Sequence, residues 1–158
     1  MRRFALLCSA AVLVACTKSE NPPAADTGMA AAPAPAAPTV APISLKDVAG
    51  KYAVTGKNEA GDSTLLTYEL TATADSTGWS IMFPGRKAAV PMRIVSVAGD
   101  SIMMEAGPYE SAIYKGVQVK TNGVFRLVDG KLVGRTVAHY NRKGSDSVRV
   151  VVSEGIKK

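Results

Sequence analysis

The side chains able to do chemistry are few and scattered. His139 is the single histidine among the 158 residues. A zinc site needs three or four ligands, and no second histidine or nearby cysteine is present to complete one around His139. Serine and aspartate are abundant enough for a Ser-His-Asp arrangement. The chain has no Gly-x-Ser-x-Gly elbow, however, and His139 falls in a strand-like run. Glu105 and Glu110 flank Ala106-Gly107-Pro108-Tyr109, which reads as a turn. Paired carboxylates do acid–base work only when a site holds them at the reacting atoms, and these two read as solvated. The expectation is a chain that is not an enzyme and carries no metal or cofactor.

Arg126 and Arg135 are the pair with more to offer. Asn122-Gly123 and Asp129-Gly130 both carry the type I′ hairpin signal. Two such hairpins would set three strands in register. One face would then carry Val117, Val119, Val124, Val133 and Val137 with Arg126 and Arg135; the other would carry Phe125, Leu127, Leu132 and Tyr140. If the valine-rich face is the interior, two guanidiniums sit in apolar surroundings and need a carboxylate or an anionic ligand. If the aromatic face is the interior, they are ordinary surface charges. Tyr68 and Trp79 join the two arginines as candidate ligand contacts. Met82, Met92, Met103 and Met104 fit either a pocket lining or a core filling.

These residues need a sheet to position them. After residue 43 the chain alternates strand-like runs with turn chemistry and shows no amphipathic helix. Strands are predicted at 50–57, 63–73, 78–83, 89–97, 101–106, 113–121, 124–128, 131–140 and 147–153. Ala60-Gly61-Asp62-Ser63 and Ala98-Gly99-Asp100-Ser101 are the same tetrapeptide, each just ahead of a strand. Gly supplies positive φ, and Asp and Ser bond the turn backbone. Pro84-Gly85 fits a type II turn. Pro91 implies an edge, a bulge or a strand that starts at Met92. Ser44 with Asp47 three residues on predicts a capped helical turn. The sum is an all-β, antiparallel up-and-down meander of eight to nine strands, closed or half-open. Closure would remove exposed strand edges.

The opening turn followed by Gly50-Lys51-Tyr52 is similar to the lipocalin start, with Tyr52 in place of the family's Trp. That likeness implies a lipocalin-like or avidin-like small barrel and nothing definite about activity; the family's other motifs and its disulfide are absent.

The N-terminus supplies an address. Arg2 and Arg3 precede a mostly apolar run at 4–14, too short to span a hydrocarbon core of about 30 Å as a helix. The run ends in Leu13-Val14-Ala15-Cys16, which resembles a bacterial lipobox. The resemblance implies cleavage after Ala15, a diacylglyceryl thioether on Cys16 and acylation of the new amino terminus. Thr17, rather than Asp, implies outer-membrane placement facing the periplasm. The alternative is an ordinary secretory signal cut elsewhere, leaving Cys16 a free thiol.

Three segments follow: a signal at 1–15, a lipidated Ala/Pro-rich linker at 16–42 and a barrel-like domain at 43–158. The linker holds six of the nine prolines, and a Pro-rich spacer rises ~3.1 Å per residue, giving an upper reach on the order of 80 Å. Cys8 leaves with the signal, so the domain itself has no cysteine to staple it. The net charge of +6 is spread rather than striped, which points away from nucleic acid and allows contact with anionic headgroups. The expected partners are the membrane, through the anchor, and either an envelope protein or a small amphipathic ligand.

Overall fold

The structure, a computed structural model, describes residues 42–158. Ala15, Cys16 and the expected linker up to residue 41 lie outside the described residues. The described chain forms a closed barrel of eight antiparallel strands, each paired with its sequence neighbours and the last with the first. They are β1 (Gly50–Lys57), β2 (Thr64–Ala72), β3 (Ser80–Met82), β4 (Val90–Ala98), β5 (Ser101–Glu110), β6 (Gln118–Val128), β7 (Lys131–Tyr140) and β8 (Val148–Lys157). One α-helical turn, α1 (Leu45–Val48), precedes them, capped as expected: the Ser44 hydroxyl accepts from Lys46 N and the Asp47 carboxylate from Ser44 N.

Alternation builds the interior. Tyr52 and Val54 on β1, Leu70 and Ala72 on β2, and Ile102, Met104 and Ala106 on β5 are all buried, with outward neighbours between them. The barrel's two ends differ. At one end α1 and the β2–β3 connection act as a plug. Val48, Leu70, Ile102 and Leu132 there have no exposed surface, and Tyr52 and Trp79 have 1 %. The Tyr52 hydroxyl donates to Val48 O at 2.9 Å, and Trp79 Nε1 donates to Asp75 O at 2.8 Å. Both large rings thus bury their apolar bodies without orphaning a donor.

The hairpin expected at Asn122-Gly123 does not form. β6 runs straight through, with Gly123 paired to Met104 on one side and to Thr136 on the other. Gly123 is there for space rather than for a turn. A Cβ on it would lie 2.9 Å from the Phe125 ring, and one on Gly134 would lie 2.4 Å from it. The ring is laid against bare backbone on β6 and β7. Asp129-Gly130 does turn, with φ of 50 and 75, as a type I′ loop requires. We expect Gly134→Ala to lower stability by about 1–3 kcal/mol, because the buried ring must leave its place; the urea unfolding midpoint would show it.

The segment 106–109 is likewise no turn. It lies within β5 as a bulge, between Ala106↔Thr121 and Tyr109↔Val119, with a cis Gly107–Pro108 bond. Pro91 sits inside β4, opposite Ser80 at the shortest strand of the barrel.

Candidate functional site

The open half of the barrel lies at the end carrying the β1–β2, β3–β4, β5–β6 and β7–β8 connections. Inside it is a cavity of about 60 Å³, floored by Met104 and Phe125 and walled by Tyr68, Phe83, Tyr109 and Tyr140. Phe83 makes two aromatic contacts there, with Tyr68 and Tyr109, each at 5.8 Å between ring centres. Hydroxyls punctuate the apolar lining: Ser111, Thr121, Thr136 and Ser153 all reach it. Tyr68 Oη donates to Ser153 Oγ at 3.4 Å, a long bond. An engineered cavity of about 150 Å³ accepts benzene; a 60 Å³ space accepts less than that as it stands.

The loop 111–117 covers this cavity. Ala112 and Ile113 line its inner side and also line a groove outside, so the loop is the wall between interior and solvent. The Ser111 hydroxyl accepts from Ile113 N and Tyr114 N, both at 2.9 Å. Two arginines hold the loop from either side. Arg86 donates to Glu110 O at 2.6 Å and Ser111 O at 3.1 Å. Arg149, whose position on β8 alternates with buried Val151 and Ser153, donates to Tyr114 Oη at 2.7 Å. Arg142 lies over the Tyr114 ring at 4.4 Å, and Tyr140 meets that ring edge-on at 5.0 Å.

Burial raises the phenols around the cavity. Tyr68 is pushed up to about 12, with the Ser153 bond opposing the shift. Tyr109 and Tyr140 move the same way for the same reason, against the pull of Arg86 and Arg149 respectively. Below about pH 10 the Tyr68 phenol is protonated in folded and unfolded chains alike. Between there and about 12 the unfolded chain releases its proton while the barrel retains it, so stability falls as pH rises. Urea titrations from neutral pH upward should show this decline, with a shallower slope in Tyr68→Phe.

The residues singled out from sequence separate. Tyr68 lines the cavity. Trp79 belongs to the plug and lies outside the cavity lining. Arg126 and Arg135 do share a face, but it is the outer one. Because β6 is a single strand, Phe125 takes the interior and its neighbours Val124 and Arg126 point out, with Arg135 opposite Val124. Arg126 bonds Ser101 Oγ at 2.9 Å and pairs with Asp100 at 3.4 Å, and Arg135 pairs with Glu59 at 2.7 Å. Both border a groove on the outer wall beside exposed Val95 and Met103. The arrangement with those two guanidiniums inside the barrel is therefore corrected. Phe125, Leu132 and Tyr140 form the inner face, joined by Val119, while Leu127 is at its exposed margin.

Of the methionines, Met104 is buried and Met92 reaches the cavity, whereas Met103 is on the outside. His139 is exposed on the outer wall opposite Lys120. Glu105 is paired with Arg93, and Glu110 accepts from Gly116 N at 3.0 Å. Among the described residues no three His, Cys, Asp or Glu side chains gather as a metal site. Sequence reasoning missed Arg86, Tyr114 and Arg149. The β8 alternation of Arg149 with Val151 and Ser153 was the available signal for the last.

The class that this geometry defines is a closed eight-stranded antiparallel meander barrel, plugged at one end and hollow at the other. Compared with models of protein families, with curated proteins and with solved structures, the chain gives no match.

Proposed function

We propose that this chain is a membrane-anchored lipoprotein that displays a non-catalytic β-barrel to the periplasm, in a binding or envelope-structural role. The observation that carries the reading is Leu13-Val14-Ala15-Cys16, followed by a Pro/Ala-rich tether and then by a barrel that needs no disulfide. A single acyl chain holds a protein to a bilayer only marginally, and two or more hold it stably; lipid on Cys16 and on its amino group supplies both. The test is fractionation of the envelope with protease added before and after the outer membrane is opened. The reading expects the chain in the outer-membrane fraction and cleavage only after opening. Cleavage in intact cells, or recovery in the soluble periplasm, contradicts it.

A second reading, a carrier of an anionic amphipathic ligand, is favoured by one specific observation. The barrel keeps a cavity edged with hydroxyls, roofed by a loop that two arginines hold. The cation that such a ligand needs is then at the roof, in place of Arg126 and Arg135.

A further inference from the structure

Of the large apolar side chains left exposed among the described residues, all but Val148 lie in the strand halves nearer the plugged end. Val95 and Val97 run down β4 to its hairpin with β5, and Met103 follows the turn. Leu127 and Val128 close β6 at the next hairpin, to β7. The two hairpins are neighbours at that end and are joined: Arg126 of the second donates to Ser101 Oγ at 2.9 Å and pairs with Asp100 of the first at 3.4 Å. Scattered singly, exposed apolar residues call for no explanation; gathered on adjoining hairpins, they mark a contact surface. The chain also enters the barrel here. Ile43 N donates to Gly99 O at 2.7 Å, in the turn between β4 and β5, so the segment that leads from Cys16 arrives beside this apolar lip.

We infer that the lip formed by the β4–β5 and β6–β7 hairpins is a bilayer-docking surface, which seats the barrel with its plugged end on the membrane and its open end away from it. The inference rests on the anchored reading above and adds the face that meets the lipid. Apolar burial drives the contact rather than charge, because the acids on these strands are met by bases: Asp100 by Arg126 and Glu154 by Lys131. The lip is too small to hold a free chain. A tether with an upper reach on the order of 80 Å keeps the barrel close to the bilayer, and a weak contact made within a tethered system is enhanced by that effective concentration. The tether enters at the lip itself, so docking needs no turn of the barrel. The cavity then opens toward the aqueous side, where the loop 111–117 is free to meet whatever the barrel binds.

The experiment couples the chain from residue 16 onward, through its one thiol, Cys16, to maleimide-bearing lipid in phosphatidylcholine vesicles. The coupling supplies the tether whether or not a cell acylates Cys16, so a failure of docking stays separate from a failure of the anchored reading. Val128→Trp and Val148→Trp place a probe at opposite ends, at positions 44 % and 48 % exposed, where neither threatens the fold. Buried Trp79 is common to both and sets the baseline. A side chain in the interface lies on the order of 5–10 Å into the headgroup and acyl boundary, within reach of bromine on the upper acyl chain. Brominated phosphatidylcholine should therefore quench Val128→Trp well beyond the Trp79 baseline and leave Val148→Trp at it. Adding Val97→Asp to Val128→Trp should abolish the extra quenching. Equal quenching at both ends means that tryptophan itself seeks the lipid, and overturns the docking face. Quenching of Val148→Trp alone puts the open end on the membrane and overturns it too. A blue shift of Val128→Trp without quenching by bromine means that a second copy covers the lip, which also overturns it, as does no change at either position.

Discussion

Phe125→Ala lowers the free energy of unfolding by about 3–5 kcal/mol, the range for removing a fully buried aromatic side chain. Three features of the site put the cost in that range. The ring is 2 % exposed and belongs to the central core cluster. It lies against Gly123 and Gly134, which have no side chains with which to fill the space it leaves. It also floors an existing cavity, so the new void merges with one already there. A domain's whole stability is about 5–15 kcal/mol, so urea unfolding at one temperature resolves the loss easily. A cycle with Gly134→Ala sharpens the point. The added methyl opposes the Phe125 ring, so its cost should vanish in the Phe125→Ala background, a coupling expected only for groups in contact. Additive costs would mean that the glycines are there for another reason.

The same residues show what the sequence made legible. Strands β1 and β7 were readable to the residue, because each is a strand-like run bounded by turn chemistry. Closure was readable as one of two options, since a chain of short connections with no helical face leaves little else. The capped turn at Ser44 was readable because a capping box is local. Asn122-Gly123 misled because glycine has two uses. It permits positive φ in a turn, and it vacates the place of a side chain; Asp129-Gly130 is the first case and Gly123 the second. Only the position of the Phe125 ring distinguishes them, and that is tertiary. The error propagated. Splitting β6 put Val119 on the wrong face; which face Arg126 and Arg135 occupy stayed open because both faces mix apolar and polar residues. The roof of the cavity was illegible for a related reason. Arg86 and Arg149 lie far along the chain from the loop 111–117 that each reaches, one at Glu110 and Ser111 and the other at Tyr114, and only the closed barrel brings them to it.

Cys16→Ser moves the protein out of the membrane fraction. The physical argument is arithmetic on buried chain: each methylene transferred to the bilayer contributes about 0.8 kcal/mol, so two or three acyl chains anchor stably and none leaves only surface attraction. Among the described residues no helix is long and apolar enough to cross a membrane in place of the anchor. A spread positive charge attracts anionic headgroups only weakly, and salt screens it. The expected result is near-complete release of Cys16→Ser by a salt wash, while the wild-type chain needs detergent. Serine keeps the size of the side chain and removes the thiol that, on the proposed reading, takes the diacylglyceryl group. Retention of Cys16→Ser in washed membranes would mean that something other than the lipid holds the protein there.

The most direct measurement is the mass of the N-terminal peptide from the protein purified out of its own membranes. The account predicts that the peptide begins at Cys16 and carries a diacylglyceryl thioether and an acylated amino group, both lost in Cys16→Ser. A peptide that begins elsewhere, or an unmodified Cys16 with a free thiol, would contradict it and make the barrel a freely exported one.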